Sequence, residues 1–149
     1  RLFEASAKSA AMLSGKSIPF IENISKAAKL IGIAFQVRDD LLDYGVSKGN
    51  IGKPEMQDIL EDKITYPLYF ALKYSNKKDS SKILKKLKNK DFSIKEVADF
   101  VSSSNAFNKC NSLIQNYNNE ISKCINQISN KEIRDEMLNL SESLKNRYE

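Results

Sequence analysis

Between Phe107 and Ile128, the residues Phe107, Cys110, Ile114, Tyr117, Ile121, Cys124 and Ile128 follow one another in steps of three and four. That spacing puts all seven on one stripe of an α-helix. A strand would scatter them over both faces, because its side chains alternate with period two. A stripe sustained this far has to be covered by another helix. Ile133, Met137, Leu140 and Leu144 continue the pattern after a break at Asn130-Lys131, and no segment shows sustained polar–apolar alternation. The fold class is therefore all-α.

The rest of the chain fits that frame. Leu2 to Leu13 contains strong helix formers and no breaker, with a small-residue face at Phe3, Ala7, Ala10 and Ser14 and with Gly15 placed to end it. Ser17-Ile18-Pro19 reads as a turn. A helix follows from Phe20 or Ile21 to Asp43 or Tyr44, and its apolar residues spread so widely around it that it must be mostly buried. Gly45, Gly49 and Gly52 mark Gly45 to Pro54 as a loop, and Asp58 to Lys63 is a polar connection. Thr65-Tyr66-Pro67 is a helix start, with Thr65 able to cap and Pro67 tolerated in the first turn. Lys73 to Lys90 sets many lysines around Ile83, Leu84 and Leu87, an amphipathic surface helix with a solvated lysine face. Ser93 and Glu96 have the spacing of a capping box opening a short helix that ends near Ser102.

A chain of 149 residues amounts to about one domain. It contains no histidine, which excludes a Ser-His-Asp triad, His-ligated zinc and an imidazole base within these residues. Its two cysteines, Cys110 and Cys124, lie ~21 Å apart along one helix and cannot pair there. On an apolar stripe they read as reduced, buried thiols, which fits a cytoplasmic or other reducing compartment. The net charge of +5 permits an anionic partner. The lysine-rich helix lacks the interleaved arginines and aromatics of a nucleic-acid footprint, so no nucleic acid is expected, and no apolar run is long enough to cross a membrane. The chain opens at Arg1, already in helical pattern by Leu2, and so reads as a fragment. An organelle therefore stays open as an alternative to the cytoplasm.

The chemistry concentrates in Phe35-Gln36-Val37-Arg38-Asp39-Asp40-Leu41-Leu42-Asp43. On a helix, Gln36, Asp39, Asp40 and Asp43 are related by three- and four-residue steps and share a face. Three carboxylates then crowd one turn with nothing on the same face to offset them, and a bound cation is the simplest explanation. Lys53 and Lys63 flank this turn in sequence, and Lys63 precedes a helix N-terminus that itself favours an anion. Lys8 is the only charge between Glu4 and Lys16, either a snorkelling lysine or an anion ligand. A diphosphate brought directly against the aspartates would be repelled by ~4 kcal/mol per charge pair at ~4 Å. Magnesium reverses that sign, since it takes oxygen ligands from carboxylates and phosphates together. The set reads as a metal–diphosphate site.

These residues, together with Gly52-Lys53-Pro54, Asp58, Lys63-Ile64-Thr65-Tyr66-Pro67 and Ala71-Leu72, resemble the second aspartate-rich region of the trans-isoprenyl diphosphate synthases, or polyprenyl synthetases. Lys8-Ser9-Ala10 followed by Leu13 is similar to that family's upstream Lys-Thr-Ala segment, with Ser9 where threonine is usual. The match runs from about Lys8 to Leu72. The helices beyond Lys73 agree only in character. The resemblance implies the C-terminal half of an isoprenoid-synthase helical bundle, a single partial domain over 1–149. Its implied reaction is the magnesium-dependent, head-to-tail condensation of an allylic diphosphate with isopentenyl diphosphate. It also implies that Asp39, Asp40 and Asp43 serve magnesium, that Lys8, Lys53 and Lys63 hold the allylic diphosphate, and that Ser9 and Gln36 line the reaction centre. The family's first aspartate-rich motif is not within these residues. The intact protein is expected to be a homodimeric prenyltransferase and the 149 residues alone inactive. The rival readings are a non-catalytic helical subunit or assembly module and, less well matched by the lysines and Gly-Lys-Pro, a terpene cyclase.

Overall fold

The computed structural model describes residues 1–45 and 56–146, with side chains described to residue 143. Among them are eight helices and no strand: α1 (Leu2–Leu13), α2 (Ile18–Leu42), α3 (Gln57–Leu60), α4 (Tyr66–Tyr74), α5 (Lys77–Lys88), α6 (Ile94–Ser102), α7 (Ala106–Asn126) and α8 (Lys131–Asn146). They pack as two compact units, Arg1–Gln36 with Leu113–Glu149, and Val37–Ser112.

In the first unit, α1 ends as the glycine requires. Gly15 has φ +63°, its N–H donates to the Met12 carbonyl, and the Lys16 N–H donates to that of Ala11, the two bonds of a Schellman cap. α1 covers the core with Phe3, Ala7 and Ala11, and its remaining faces, Lys8 and Ser9 included, are exposed. The core itself is Ala27, Ile31, Ile121, Cys124 and Ile125, extended by Ala11, Ile24 and Ile128. Gly32 lies mid-helix, where glycine lowers helix stability, because the Phe3 ring lies against it. A Cβ there would meet Phe3 Cδ2 at 3.2 Å. Phe3 also packs on Phe35, with ring centroids 6.1 Å apart.

In the second unit, Met56, Ile59, Leu68, Ala71, Val97, Val101 and Ala106 form the core, with Tyr44, Phe70, Phe92 and Phe107 packed on it. α4 packs against α5 and α6. Two polar ties fasten these helices: Ser80 Oγ donates to the Leu72 carbonyl at 2.8 Å, and Lys86 Nζ donates to both oxygens of Glu96 at 2.7 and 2.8 Å. Ser93 caps α6 by accepting the Glu96 N–H, as its spacing predicts, while the Glu96 carboxylate goes to Lys86.

Several expectations shift. α2 begins at Ile18, not beyond Pro19, because a proline in the first turn lacks only an N–H that has no intrahelical partner. The connection Asp58 to Lys63 begins inside a one-turn helix, α3, held by the buried Ile59. The stripe of α7 is buried where expected, but α8 rotates from the heptad: Leu138 packs on the core and Ser141 is buried, whereas Leu140 is 40% exposed. The Leu144 side chain and most of the Gly45 to Pro54 loop lie outside the described residues.

Gly32→Val is expected to lower stability by about 1–3 kcal/mol through overpacking against Phe3. Gly32→Ala should stay within about 1 kcal/mol of the parent, its gain in helix propensity offsetting the tight contact. Urea denaturation of both variants checks this.

Candidate functional site

The acidic turn forms the C-terminal end of α2, and its three carboxylates meet different surroundings. Asp40 is 5% exposed, and its Oδ2 accepts the backbone N–H of Tyr66 at 2.8 Å. Asp43 is half-buried: its Oδ1 accepts the Gln57 N–H at 3.2 Å and its carbonyl accepts the Met56 N–H at 2.9 Å. Asp39 is also half-buried. Asp40 and Asp43 thus sit at the N-termini of α4 and α3, where free N–H groups and the positive end of the helix dipole favour a carboxylate. The crowded charges, for which their own helix face offers no offset, are therefore not uncompensated. The offset comes from backbone groups more than ten residues away in sequence, which are invisible to an analysis of one helix face.

Thr65 stands at the N-cap of α4, as predicted, but its side chain does not cap the helix. Its hydroxyl lies 3.0 Å from that of Tyr44, and Asp40 accepts the first N–H of the helix, that of Tyr66. Burial raises the Tyr44 phenol well above its usual range, the hydrogen bond to Thr65 opposing that shift and Asp43 and Asp40 adding to it. Burial, and then the charge of Asp40, also pushes the Cys110 thiol up to about 12. Tyr44, Thr65 and the Tyr66 N–H are partners that the sequence reading missed. Their signal in the sequence is the helix start Thr65-Tyr66-Pro67 just after Lys63, which gives no sign of contact with Asp40.

That lysine, Lys63, is exposed and ion-paired with Glu61 at 2.7 Å and Asp58 at 2.9 Å, not with the aspartates of α2. The hydrogen bonds that Nζ donates, to Glu61 first and then to Asp58, hold its proton more tightly than in an isolated lysine. Lys8 and Ser9 on α1, and Gln36 on α2, are exposed and belong to the first unit. Lys53 lies outside the described residues.

Among the described residues, no three acidic or thiol side chains converge closely enough to enclose a cation. Magnesium, however, is usually held by one or two carboxylates plus phosphate oxygens and waters. The all-oxygen set of the acidic turn fits an ion completed by substrate and does not fit a closed protein cage.

The family model for polyprenyl synthetase matches residues 1–104. The chain belongs to the polyprenyl synthetase family. Over 74 residues, half of this chain and 20% of the relative, it is 43% identical to the heterodimeric geranylgeranyl pyrophosphate synthase large subunit 1, chloroplastic, of Arabidopsis thaliana. Over 147 residues, 98% of this chain and 32% of the relative, it is 29% identical to a probable mitochondrial hexaprenyl pyrophosphate synthase of Yarrowia lipolytica. The polyprenyl synthase of Caulobacter crescentus CB15, solved with calcium and isoprenyl diphosphate, superposes on 99% of this chain with a TM-score of 0.81 at 22% identity, which establishes the fold. This chain accounts for 46% of that one. The match spans no more than about a third of either curated relative. None of the described helices of this polyprenyl synthetase chain is long and apolar enough to cross a membrane.

At pH 8, a water-soluble disulfide reagent is expected to modify neither Cys110 nor Cys124 in the folded chain and both after unfolding, since both are buried. The unfolded thiol ionises near its ordinary value of 9.0, whereas the folded Cys110 holds its proton to about 12. Its contribution to stability is therefore complete below pH 9 and is lost as the pH rises toward 12. Cys110→Ala should remove that part of the alkaline fall in the urea midpoint.

Proposed function

We propose that this chain is the C-terminal part of a trans-polyprenyl diphosphate synthase, a prenyltransferase that joins an allylic diphosphate head-to-tail to isopentenyl diphosphate. The observation that carries the reading is the acidic turn of α2 in a chain of this family. The named activities of the Arabidopsis and Yarrowia relatives support it.

Of Asp39, Asp40 and Asp43, all three of which the resemblance assigns to magnesium, Asp39 and Asp43 would serve the ion, directly or through water. The calcium and isoprenyl diphosphate in the Caulobacter structure support a divalent ion and a diphosphate on this fold. When bound, the ion supplies Lewis acidity to the diphosphate oxygens, which lowers the cost of their departure from the allylic carbon. Lys8, Lys53 and Lys63 hold the diphosphate and oppose its growing negative charge as the carbon–oxygen bond breaks. Ser9 and Gln36 line the reaction centre with neutral polar groups; there the double bond of isopentenyl diphosphate forms the new carbon–carbon bond to the allylic cation, and loss of a proton from the carbon next to the resulting cation restores a double bond. No step needs a histidine. The 149 residues alone are inactive in this reading, since the first aspartate-rich motif is not among them. The complete protein works as a homodimer in the cytoplasm or an organelle.

In the complete protein containing this sequence, Asp39→Ala should lower kcat by about a hundredfold or more, the scale of losing one preorganised electrostatic element. Removing magnesium with a chelator should abolish turnover. The assay is incorporation of labelled isopentenyl diphosphate into a longer allylic product. An Asp39→Ala enzyme with unchanged kcat would sink the reading. Turnover by the 149 residues alone would sink the claim that they need a further half.

A further inference from the structure

Within the acidic turn, and resting on the synthase reading, we propose that Asp40 is a positioning residue: its carboxylate is committed to the N-terminus of α4 and not to the metal ion, and it fixes the segment carrying Lys63 relative to Asp39 and Asp43. Asp40 is buried at 5% exposure, while Asp39 and Asp43 on either side of it are half-exposed. Magnesium keeps several of its waters and needs room for them. Asp40 Oδ2 already accepts the Tyr66 N–H at 2.8 Å. Tyr66 is the first residue of α4, so its N–H has no partner within the helix, and the Thr65 side chain makes no cap bond and lies 3.0 Å from the Tyr44 hydroxyl instead. Asp40 therefore caps α4 across 26 residues of sequence.

Two ties at consecutive positions, Tyr44 to Thr65 and Asp40 to Tyr66, hold the last turn of α2 against the first turn of α4. Such a pair fixes the rotation of the α2 turn about its own axis, and with it the directions of Asp39 and Asp43. It also fixes where the chain enters α4. Lys63 lies two residues before Thr65, so its reach is measured from that anchor. In this arrangement Asp40 is committed to the α4 N-terminus, while Asp43 gives one oxygen to the Gln57 N–H of α3.

Asp40→Asn keeps an acceptor oxygen and removes the charge, whereas Asp40→Ala removes both. In the complete protein, amide hydrogen exchange at Tyr66 should stay near the parent rate in D40N and rise by about tenfold in D40A, the scale of a lost helix cap. In the complete protein, the magnesium concentration giving half-maximal activity should shift by less than about threefold in D40N and by about tenfold or more in Asp39→Asn, which loses an ion ligand. If D40A does not fold, the D40N comparison still decides. D40N shifting the magnesium requirement as far as Asp39→Asn would overturn the proposal, as would D40A leaving Tyr66 fully protected. If neither asparagine variant moves the magnesium requirement, the metal reading of the turn fails, and the exchange at Tyr66 still tests where Asp40 is anchored.

Discussion

A carboxylate buried to 5% exposure governs how the Val37–Ser112 unit is put together. Taking that charge from water costs several kcal/mol unless hydrogen bonds replace its hydration. At the N-terminus of α4, Asp40 meets an N–H group that has no partner within its own helix, and the positive end of the α4 dipole beside it. Each group satisfies what the other lacks. Moving either helix end away would leave a buried charge and an orphaned N–H together, a larger loss than the bond itself is worth. The adjoining polar pair, Tyr44 and Thr65, obeys the same rule, and the apolar core of Met56, Ile59, Leu68 and Ala71 closes around helices whose ends are already tied.

What could be read from the sequence follows the range of the interactions involved. The stripe from Phe107 to Ile128 repeats within one helix, so its spacing predicts both the helix and its buried face, and the structure buries Cys110, Ile114, Ile121, Cys124 and Ile128. Gly15 and Ser93 act on their own helix ends within a few residues, and both terminate or start a helix as predicted. α3 escapes because a single turn is too short to show a period, and Ile59 and Leu60 are its only apolar residues inside a polar stretch. α8 fits two registers in sequence, since Leu138 and Leu140 are both available. Packing selected the one with the wider, 3.6-residue face.

The acidic turn marks the boundary of that legibility. One helix face shows three carboxylates and no cation, and from this alone an ion is the economical inference. The fold supplies two backbone N–H groups, from Gln57 and Tyr66, that no periodicity could place beside Asp43 and Asp40. Charge crowding therefore no longer demands an ion by itself. What keeps the metal in the functional reading is the company of the turn: membership of the polyprenyl synthetase family over residues 1–104, and an Asp39 that is only half-buried.

The same distinction settles how to weigh Lys63. Its ion pairs with Glu61 and Asp58 tie it to local structure. Energetics point the other way, because exposed pairs of this kind contribute only about 0–1 kcal/mol in water. Both acids lie within five residues of Lys63, on the α3 segment and the turn after it, so the pairing needs no tertiary rearrangement to form or to break. In the proposed reading, a diphosphate, with more charge than either carboxylate, would compete for the same ammonium. Asp40 could not be recruited so cheaply, since its release would strand a buried helix end. One acidic group of the unit is fixed by burial and the lysine is left exchangeable by exposure, which is the division of labour expected where a rigid frame must present a mobile cation to an arriving anion.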